Sequence, residues 1–161
     1  MKRLTAACLC LFALLSLAAC AGRSSDPAGA GSIVPDSEPL VRPAGEHGRI
    51  YFYRSQVPLM VALSPEVVVN GREVGKADYD AVFYRDALPG RYEVFLTSDP
   101  DNPIYFTLAA GELRFVKAVM KLGWSGTVLG VELVDEPVGR GEIAEQRRTR
   151  AEPPPPPRQP G

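Results

Sequence analysis

Residues 67–74 read VVVNGREV, and this stretch decides the fold class. Asn-Gly is the pair that best accepts the positive φ angles of a type I′ turn, which joins two antiparallel strands through only two residues. The β-branched valines beside the pair have the side-chain shape that strands favour. We therefore predict a β-hairpin with Asn70 and Gly71 at its tip.

Strand-like segments continue on both sides of this hairpin, with neither a βαβ alternation nor a long amphipathic helix between them. They cover residues 49–54, 81–85, 91–97, 104–108, 113–122 and 126–134. Turn signals such as Pro89-Gly90 separate them at near-regular spacing, which is typical of a sandwich or an open barrel. We predict an all-β fold over residues 48–135, a small antiparallel β-sandwich of about seven to eight strands.

Alternation along the predicted strands assigns their faces. Ile50 and Phe52 share one face of the first strand, and two tyrosines occupy the other. In the strand at residues 113–122, Lys117 and Lys121 interrupt one face, so we expect that face to meet water.

Residues 1–19 have the layout of a secretory signal peptide. Lys2-Arg3 precedes an apolar run that ends in LAAC at residues 17–20. The Cys at this boundary makes the segment resemble a bacterial lipoprotein signal, in which that Cys is acylated and becomes the first mature residue. The resemblance implies a lipid anchor at Cys20 in membrane lipid, in the outer membrane facing the periplasm. The alternative is an ordinary signal peptide cut after an Ala-x-Ala-like site, which would give a secreted protein without an anchor.

The segments that flank the predicted domain differ from it in composition. Residues 20–47 are rich in Gly, Ala, Ser and Pro, so we predict a flexible tether between the lipidated Cys and the domain. Residues 136–150 are charged and indicate a short exposed helix, with acidic residues early and basic residues late. Residues 151–161 include a run of prolines and indicate a Pro-rich disordered tail. This tail is a candidate contact for an envelope protein or a cell-wall polymer.

Charge and cysteine content exclude other classes of partner. Lys and Arg number 18 against 19 Asp and Glu, a formal net charge of −1, so no basic field indicates binding to nucleic acid. Of the 3 cysteines, Cys8 and Cys10 lie in the segment predicted to be removed, so the predicted mature chain keeps only Cys20. The predicted domain therefore relies on its apolar core rather than on disulfides.

No residue pattern indicates a catalytic, cofactor-binding or metal site, so we expect that the protein is not an enzyme. His47 is the only histidine and stands between glycines at the junction of tether and domain, where a solvated side chain is expected. Residues 139–144, GRGEIA, match a dinucleotide fingerprint in letters, but too few residues follow for the second strand of such a fold. Residues 99–103, DPDNP, are interpreted as a turn rather than a calcium loop. Asp78 and Asp80 would suit acid–base chemistry only inside a pocket.

Four short motifs of the predicted domain stand in an order that resembles a known family. They are IYFYR at residues 50–54, VVNG at 68–71, PGRYEV at 89–94 and AGE at 110–112 before a long strand. In this order the chain resembles the domain-of-unknown-function 2846 family of bacterial envelope lipoproteins. The resemblance implies a small β-sandwich on a lipid anchor and supplies no catalytic residues.

We therefore expect a lipid-anchored cell-envelope protein whose domain is a non-catalytic binding or structural module. Sheet edges or the proline tail would make its contacts. Two alternatives stay open. One is an accessory subunit of an envelope or secretion complex. The other is a carboxylate-dependent hydrolase that acts on an envelope substrate through Asp78 and Asp80.

Overall fold

The computed structural model describes residues 31–54, 61–123 and 126–152. Its elements, in chain order, are β1 (Ser32–Ile33), β2 (Gly48–Arg54), β3 (Glu66–Val69), β4 (Arg72–Lys76), β5 (Val82–Ala87), β6 (Gly90–Leu96), β7 (Ile104–Leu108), β8 (Leu113–Gly123), β9 (Gly126–Val134) and α1 (Glu136–Ala151). The predictions for the signal peptide, for Cys20 and for the tail from residue 153 onward fall outside the described residues.

The hairpin predicted at Asn70 and Gly71 is present and joins β3 to β4. Asn70 has a φ of 48° and Gly71 a φ of 75°, the two positive values that a type I′ turn needs. The Asn70 side chain also accepts a hydrogen bond from the backbone N–H of Glu93 at 2.9 Å. The turn is therefore tied to β6, the next strand of its sheet.

The strands form two facing sheets, which confirms the prediction of an all-β sandwich. The first sheet has the order β1-β5-β2-β8-β9, and the second has the order β4-β3-β6-β7. Every described strand pair is antiparallel except β2 and β8, which run parallel with Tyr51 opposite Phe115. After β2 the chain returns to this strand twice: β5 lies antiparallel on one side of it, and β8, which follows β6 and β7 of the second sheet, lies parallel on the other side.

The core lies between the two sheets, and each sheet contributes the apolar face of its strands to it. Ile50 and Phe52 of β2 point into this core, as their alternation predicts, and Phe52 stacks on Phe83 with 4.9 Å between ring centroids. Val94 and Leu96 of β6 enter from the opposite sheet. Each such side chain stabilises the fold by about 1.5–3 kcal/mol through burial of apolar surface.

The outer face of the first sheet is covered by α1, so the expectation that this face meets water is wrong. Tyr51, Tyr53 and Phe115 are almost fully buried there, together with Ile143 of α1, whose exposed fraction is 0%. Tyr51 and Phe115 stack with 5.2 Å between ring centroids. The charged C-terminal segment is a helix, as predicted, but it packs as a third layer because this face is aromatic rather than polar.

Gly139 explains how α1 approaches the sheet so closely. A Cβ atom at this position would lie 2.6 Å from the ring of Phe115. The helix begins after Asp135 with Glu136 in its first turn and ends with Arg148 and Arg150 in its last turn, the charge order that the helix dipole favours. The first glycine of GRGEIA, Gly139, therefore allows the helix to pack closely on the sheet.

Residues 31–42 pack on the domain, so the flexible tether predicted for residues 20–47 does not extend through them. Ile33 of β1 pairs with Phe83 of β5, and Val34 is buried. The Tyr51 hydroxyl donates to the Val41 carbonyl at 3.1 Å. We call residues 31–42 the strap. Sequence reading missed it because a few apolar side chains among Pro, Ser and Glu show no periodicity.

Candidate functional site

Four arginines join the strap to α1 and form, with their acceptors, what we call the clasp: Arg42, Arg140, Arg147 and Arg150. Arg42 of the strap contacts both carboxylate oxygens of Glu136, at 2.8 and 3.1 Å, and donates to the Gly111 carbonyl at 2.9 Å. Arg140 donates to the Leu40 carbonyl at 2.7 Å and to Glu136 at 2.9 Å. The start of the helix is thereby bound to the end of the strap.

The second half of α1 holds the middle of the strap. Arg147 donates to the Glu38 carbonyl at 2.8 Å. Arg150 pairs with the carboxylates of Asp36 and Asp80 and also donates to the Asp80 carbonyl. The basic residues that sequence reading placed on an exposed helix are, at these positions, bonded to the rest of the protein.

The sequence carries only a faint signal for this arrangement. The buried positions of α1 are Gly139, Ile143 and Gln146, which follow helical spacing. Only one of the three is a large apolar residue, so the hydrophobic pattern is too weak to predict a packed helix. The arginines at 140 and 147 lie seven residues apart, close to two helical turns, and this spacing is the one sign of a common face.

Beneath α1, a chain of hydrogen bonds joins Tyr53, Glu142 and Lys117. The Tyr53 hydroxyl donates to one Glu142 oxygen at 2.5 Å, and Lys117 Nζ donates to the other at 2.7 Å. Burial raises the pKa of Glu142, but the hydrogen bonds from Lys117 and Tyr53 outweigh it and hold that pKa below its ordinary value. Burial, and then the bond to Glu142, raise the pKa of the Tyr53 hydroxyl. The ionised carboxylate is therefore the form that docks α1.

The two arginines at the ends of RIYFYR, residues 49–54, are both buried. Arg49 binds the Asp86 carboxylate through Nε at 2.6 Å and Nη2 at 2.9 Å, and its guanidinium lies 3.7 Å from the centre of the Tyr84 ring. Arg54 donates to the Ala77 carbonyl at 2.9 Å, and burial lowers the pKa of its guanidinium. These two cations fasten β2 to its surroundings, a role that the sequence did not predict.

Asp78 and Asp80, the carboxylate pair singled out in the sequence, line the same open groove of about 310 Å³. Val82 and Phe83 are among its apolar walls, while Lys76 and Arg150 add basic groups. Nε of Arg150 donates to Asp80 at 2.5 Å, whereas Asp78 is exposed. The structure thus brings the two carboxylates to one concavity and bonds one of them into the clasp.

The edge of β9 is capped by side chains. Ser98 donates to the Leu129 carbonyl at 2.7 Å, and Lys121 Nζ donates to the Val131 carbonyl at 2.7 Å. The loop at residues 99–103 is a turn between β6 and β7, as predicted, and it lies so close to β9 that a Cβ at Gly130 would be 2.5 Å from the Asp99 carboxylate. Occupied carbonyls make this edge a poor template for an added strand.

Two other edge strands also have carbonyls that accept bonds from outside their sheet. In β4 the Val74 carbonyl accepts from the Gly31 N–H at 2.5 Å. In β7 the Thr107 carbonyl accepts from Arg114 Nε at 3.1 Å. The expectation that sheet edges make contacts is thereby weakened at each of these positions.

His47, the histidine considered in the sequence, does not lie in a binding site of the described residues. His47 is exposed, and its backbone carbonyl accepts a bond from the Gly111 N–H at 2.9 Å. In the described part of the chain, no three His, Cys, Asp or Glu side chains group as a metal site would require. Nor, across those same residues, does any helix have the length and apolar character needed to cross a membrane.

These observations define the structural class of the protein: a two-sheet β-sandwich with a C-terminal helix clasped over one outer face. Residues 44–130 match the family described as "Protein of unknown function (DUF2846)", and the chain belongs to this family. The matched range runs from just before β2 into β9, so α1 and the strap lie outside it. Comparisons with curated proteins and with solved structures gave no match.

Proposed function

We propose that this protein is anchored in the outer membrane of a bacterial cell envelope through an acylated Cys20 and faces the periplasm. The observation that carries the proposal is the segment LAAC at residues 17–20, which closes a positively charged and then apolar leader. Acylation of the sulfur and of the new amine would supply more than one chain, which is what stable anchoring requires.

The strap supports a working position close to the lipid. About 11 residues separate Cys20 from Gly31, where the described domain begins, and they reach at most about 40 Å when extended. A tether through residue 47 would reach more than twice as far. The proposed anchor therefore keeps the domain beside the leaflet.

We assign the domain the role of a non-catalytic binding or structural module. The support is the use of its ionisable side chains: Arg49 binds Asp86, Glu142 binds Lys117, and Arg150 binds Asp80. These groups hold elements together, so their charge serves architecture. Partner contacts are assigned to the Pro-rich tail, residues 151–161, because a run of prolines restricts the unbound chain and so reduces the entropy lost on docking.

The anchor is tested by intact-mass measurement of the protein purified from membranes. The mature chain is expected to begin at Cys20 and to carry acyl mass. The Cys20→Ser variant should lose that mass and leave the membrane fraction, whereas Cys8→Ser, a matched change inside the leader, should behave as wild type. A mature chain that starts at Cys20 without acyl mass would refute the proposal.

The role of the tail is tested by affinity purification from solubilised membranes, with and without residues 153–161. A partner recovered only with the intact chain supports the tail as the contact and favours an accessory subunit of an envelope complex. Identical partner sets from both chains would rule the tail out as the contact.

One observation favours a second function, a carboxylate-dependent hydrolase of an envelope substrate. Asp78 and Asp80 share a groove that also has basic groups, the arrangement that acid–base chemistry needs. Isolated envelope material incubated with wild-type protein should then release fragments detectable by mass spectrometry, and Asp78→Asn should abolish the release. Equal release of fragments by wild type and by Asp78→Asn, or no release by either, would refute the hydrolase function.

A further inference from the structure

The strap and α1 lie beyond the family domain, and they bind each other. The family match covers residues 44–130, which leaves out both segments. Arg42 reaches from the strap to Glu136, and Arg140 and Arg147 reach from the helix to strap carbonyls. The two ends of the chain are therefore joined across the outer face of the first sheet.

The clasp is held mainly by polar contacts near the surface. The side chains of Arg42 and Glu136 are 55% and 29% exposed, and those of Arg150 and Asp36 are 36% and 42% exposed. Exposed pairs of this kind stabilise a structure by only about 0–1 kcal/mol each. The apolar attachment is small: α1 contributes Ile143, the strap contributes Val34, and Leu40 packs beside them.

A segment attached in this way opens at a lower free energy than the sandwich core. Local opening follows the number of buried apolar contacts. The cluster between the sheets is the larger one, whereas the strap and α1 contribute only Val34 and Ile143 as buried members of the smaller cluster beneath them. Salt weakens the ion pairs further, because the screening length falls from about 10 Å at 0.1 M to about 3 Å at 1 M.

We propose that the clasp is an opening latch that sets the length of the lipid tether. When the clasp is closed, the domain is tied to Cys20 through about 11 residues, a reach of at most about 40 Å. Release of the strap also requires its first residues to leave the sandwich, where the Gly31 and Val34 N–H groups bond to β4 and β5. When the clasp opens and these bonds break with it, the strap is free back to Gly48, and about 28 residues reach at most about 100 Å. The consequence at the membrane rests on the proposed anchor, whereas opening of the clasp does not.

Opening is tested by amide hydrogen exchange on the detergent-solubilised full mature chain. A double variant, Arg147→Ala with Arg150→Ala, should raise exchange in residues 32–42 by about tenfold or more and leave β6 unchanged. Arg148→Ala is the matched control, since Arg148 pairs with Glu145 on the same helix. Unchanged protection of residues 32–42 in the double variant overturns the proposal, and so does equal deprotection in the control.

The wild-type chain supplies a second measurement that does not depend on a variant folding. Raising salt from about 0.1 to about 1 M should speed exchange in residues 32–42 and leave β6 protected. Exchange that rises equally in β6 would mean global unfolding and would refute a separate latch.

The change of reach is tested on vesicles with acceptor-labelled lipid. A donor is attached at Arg91→Cys, an exposed position of β6. Energy transfer should be lower in the double variant, Arg147→Ala with Arg150→Ala, than in the labelled parent protein. In the Arg148→Ala control it should equal that of the parent. Equal transfer in all three would refute the link to tether length. A protein that never associates with vesicles would instead refute the anchor and leave the exchange result standing.

Discussion

Gly139 and Gly141 lie two positions apart in α1 but face different surroundings. A Cβ at Gly139 would press into the ring of Phe115 at 2.6 Å, whereas a Cβ at Gly141 would meet nothing within 4 Å. The same substitution is therefore expected to have opposite effects at the two positions, which makes each the control of the other.

Gly139→Ala should lower the free energy of unfolding by about 1–3 kcal/mol, because an overpacked helix–sheet contact must shift. Gly141→Ala should raise it by about 0.5–1 kcal/mol, because alanine favours the helix and meets no obstacle. Urea unfolding of the two variants measures both changes. A stabilised Gly139→Ala protein would contradict the close approach of α1 to Phe115.

Glu142 gives the docking of α1 a pH dependence. Its pKa in the folded protein lies below the ordinary value of 4.5 despite its burial, because Lys117 and Tyr53 donate to the ionised form. A carboxyl with a lowered folded pKa contributes stability that is complete above the unfolded pKa and is lost as pH falls through the folded pKa.

Glu142→Gln should therefore reduce the free energy of unfolding at about pH 7, and the difference from wild type should shrink as the pH falls from about 4.5 towards 3. Urea unfolding across that range measures the difference. Glu145→Gln, an exposed position on the same helix, serves as the control. A difference that grows in acid would contradict the assigned hydrogen bonds.

At the scale of single elements, the edge strands show how the fold limits self-association. β9 is a nine-residue strand at the edge of the first sheet, long enough to template another strand. Ser98 and Lys121 occupy two of its carbonyls, Leu129 and Val131. Ser98 belongs to a loop of the second sheet, so its cap exists only in the assembled sandwich, whereas Lys121 lies on the neighbouring strand β8 of the same sheet.

Removing both caps, Ser98→Ala with Lys121→Ala, should free these carbonyls and increase self-association through β9. Light scattering coupled to size-exclusion chromatography over a range of protein concentrations measures the change. Lys76→Ala, at an exposed position of edge strand β4, is the matched control. A double variant with the same mass as wild type at every concentration would show that the caps do not limit association.

At the scale of the whole molecule, α1 converts a two-layer sandwich into three layers. Tyr51, Tyr53 and Phe115 form an aromatic surface that is buried only because α1 and the strap lie over it. The tail from residue 153 onward follows that helix in the chain.

A chain that ends at residue 135 should expose this aromatic surface, bind a hydrophobic dye and lose about 2 kcal/mol or more of unfolding free energy, mainly with the burial of Ile143. A chain that ends at residue 152 keeps α1 and should match wild type in both measurements. Dye binding by both truncated chains, or by neither, would contradict the role of α1 as a cover.

The sequence by itself determined the features that short-range physics controls. Asn70-Gly71 fixed its turn because only a few residue types accept two positive φ angles. The alternation of Ile50 and Phe52 with two tyrosines assigned the faces of β2, because strand side chains alternate. The lipidation of Cys20 remains a prediction from the leader alone.

Only the tertiary structure decided what covers the tyrosine face and where the arginines of α1 go. Arg147 and Arg150 act on strap groups more than 100 residues away in the chain. Contacts across such a separation leave no periodic pattern, and a helix with one large buried apolar residue resembles an exposed one in sequence. The parallel pairing of β2 with β8 was likewise hidden, because strand neighbours follow from how the two sheets close over a shared core.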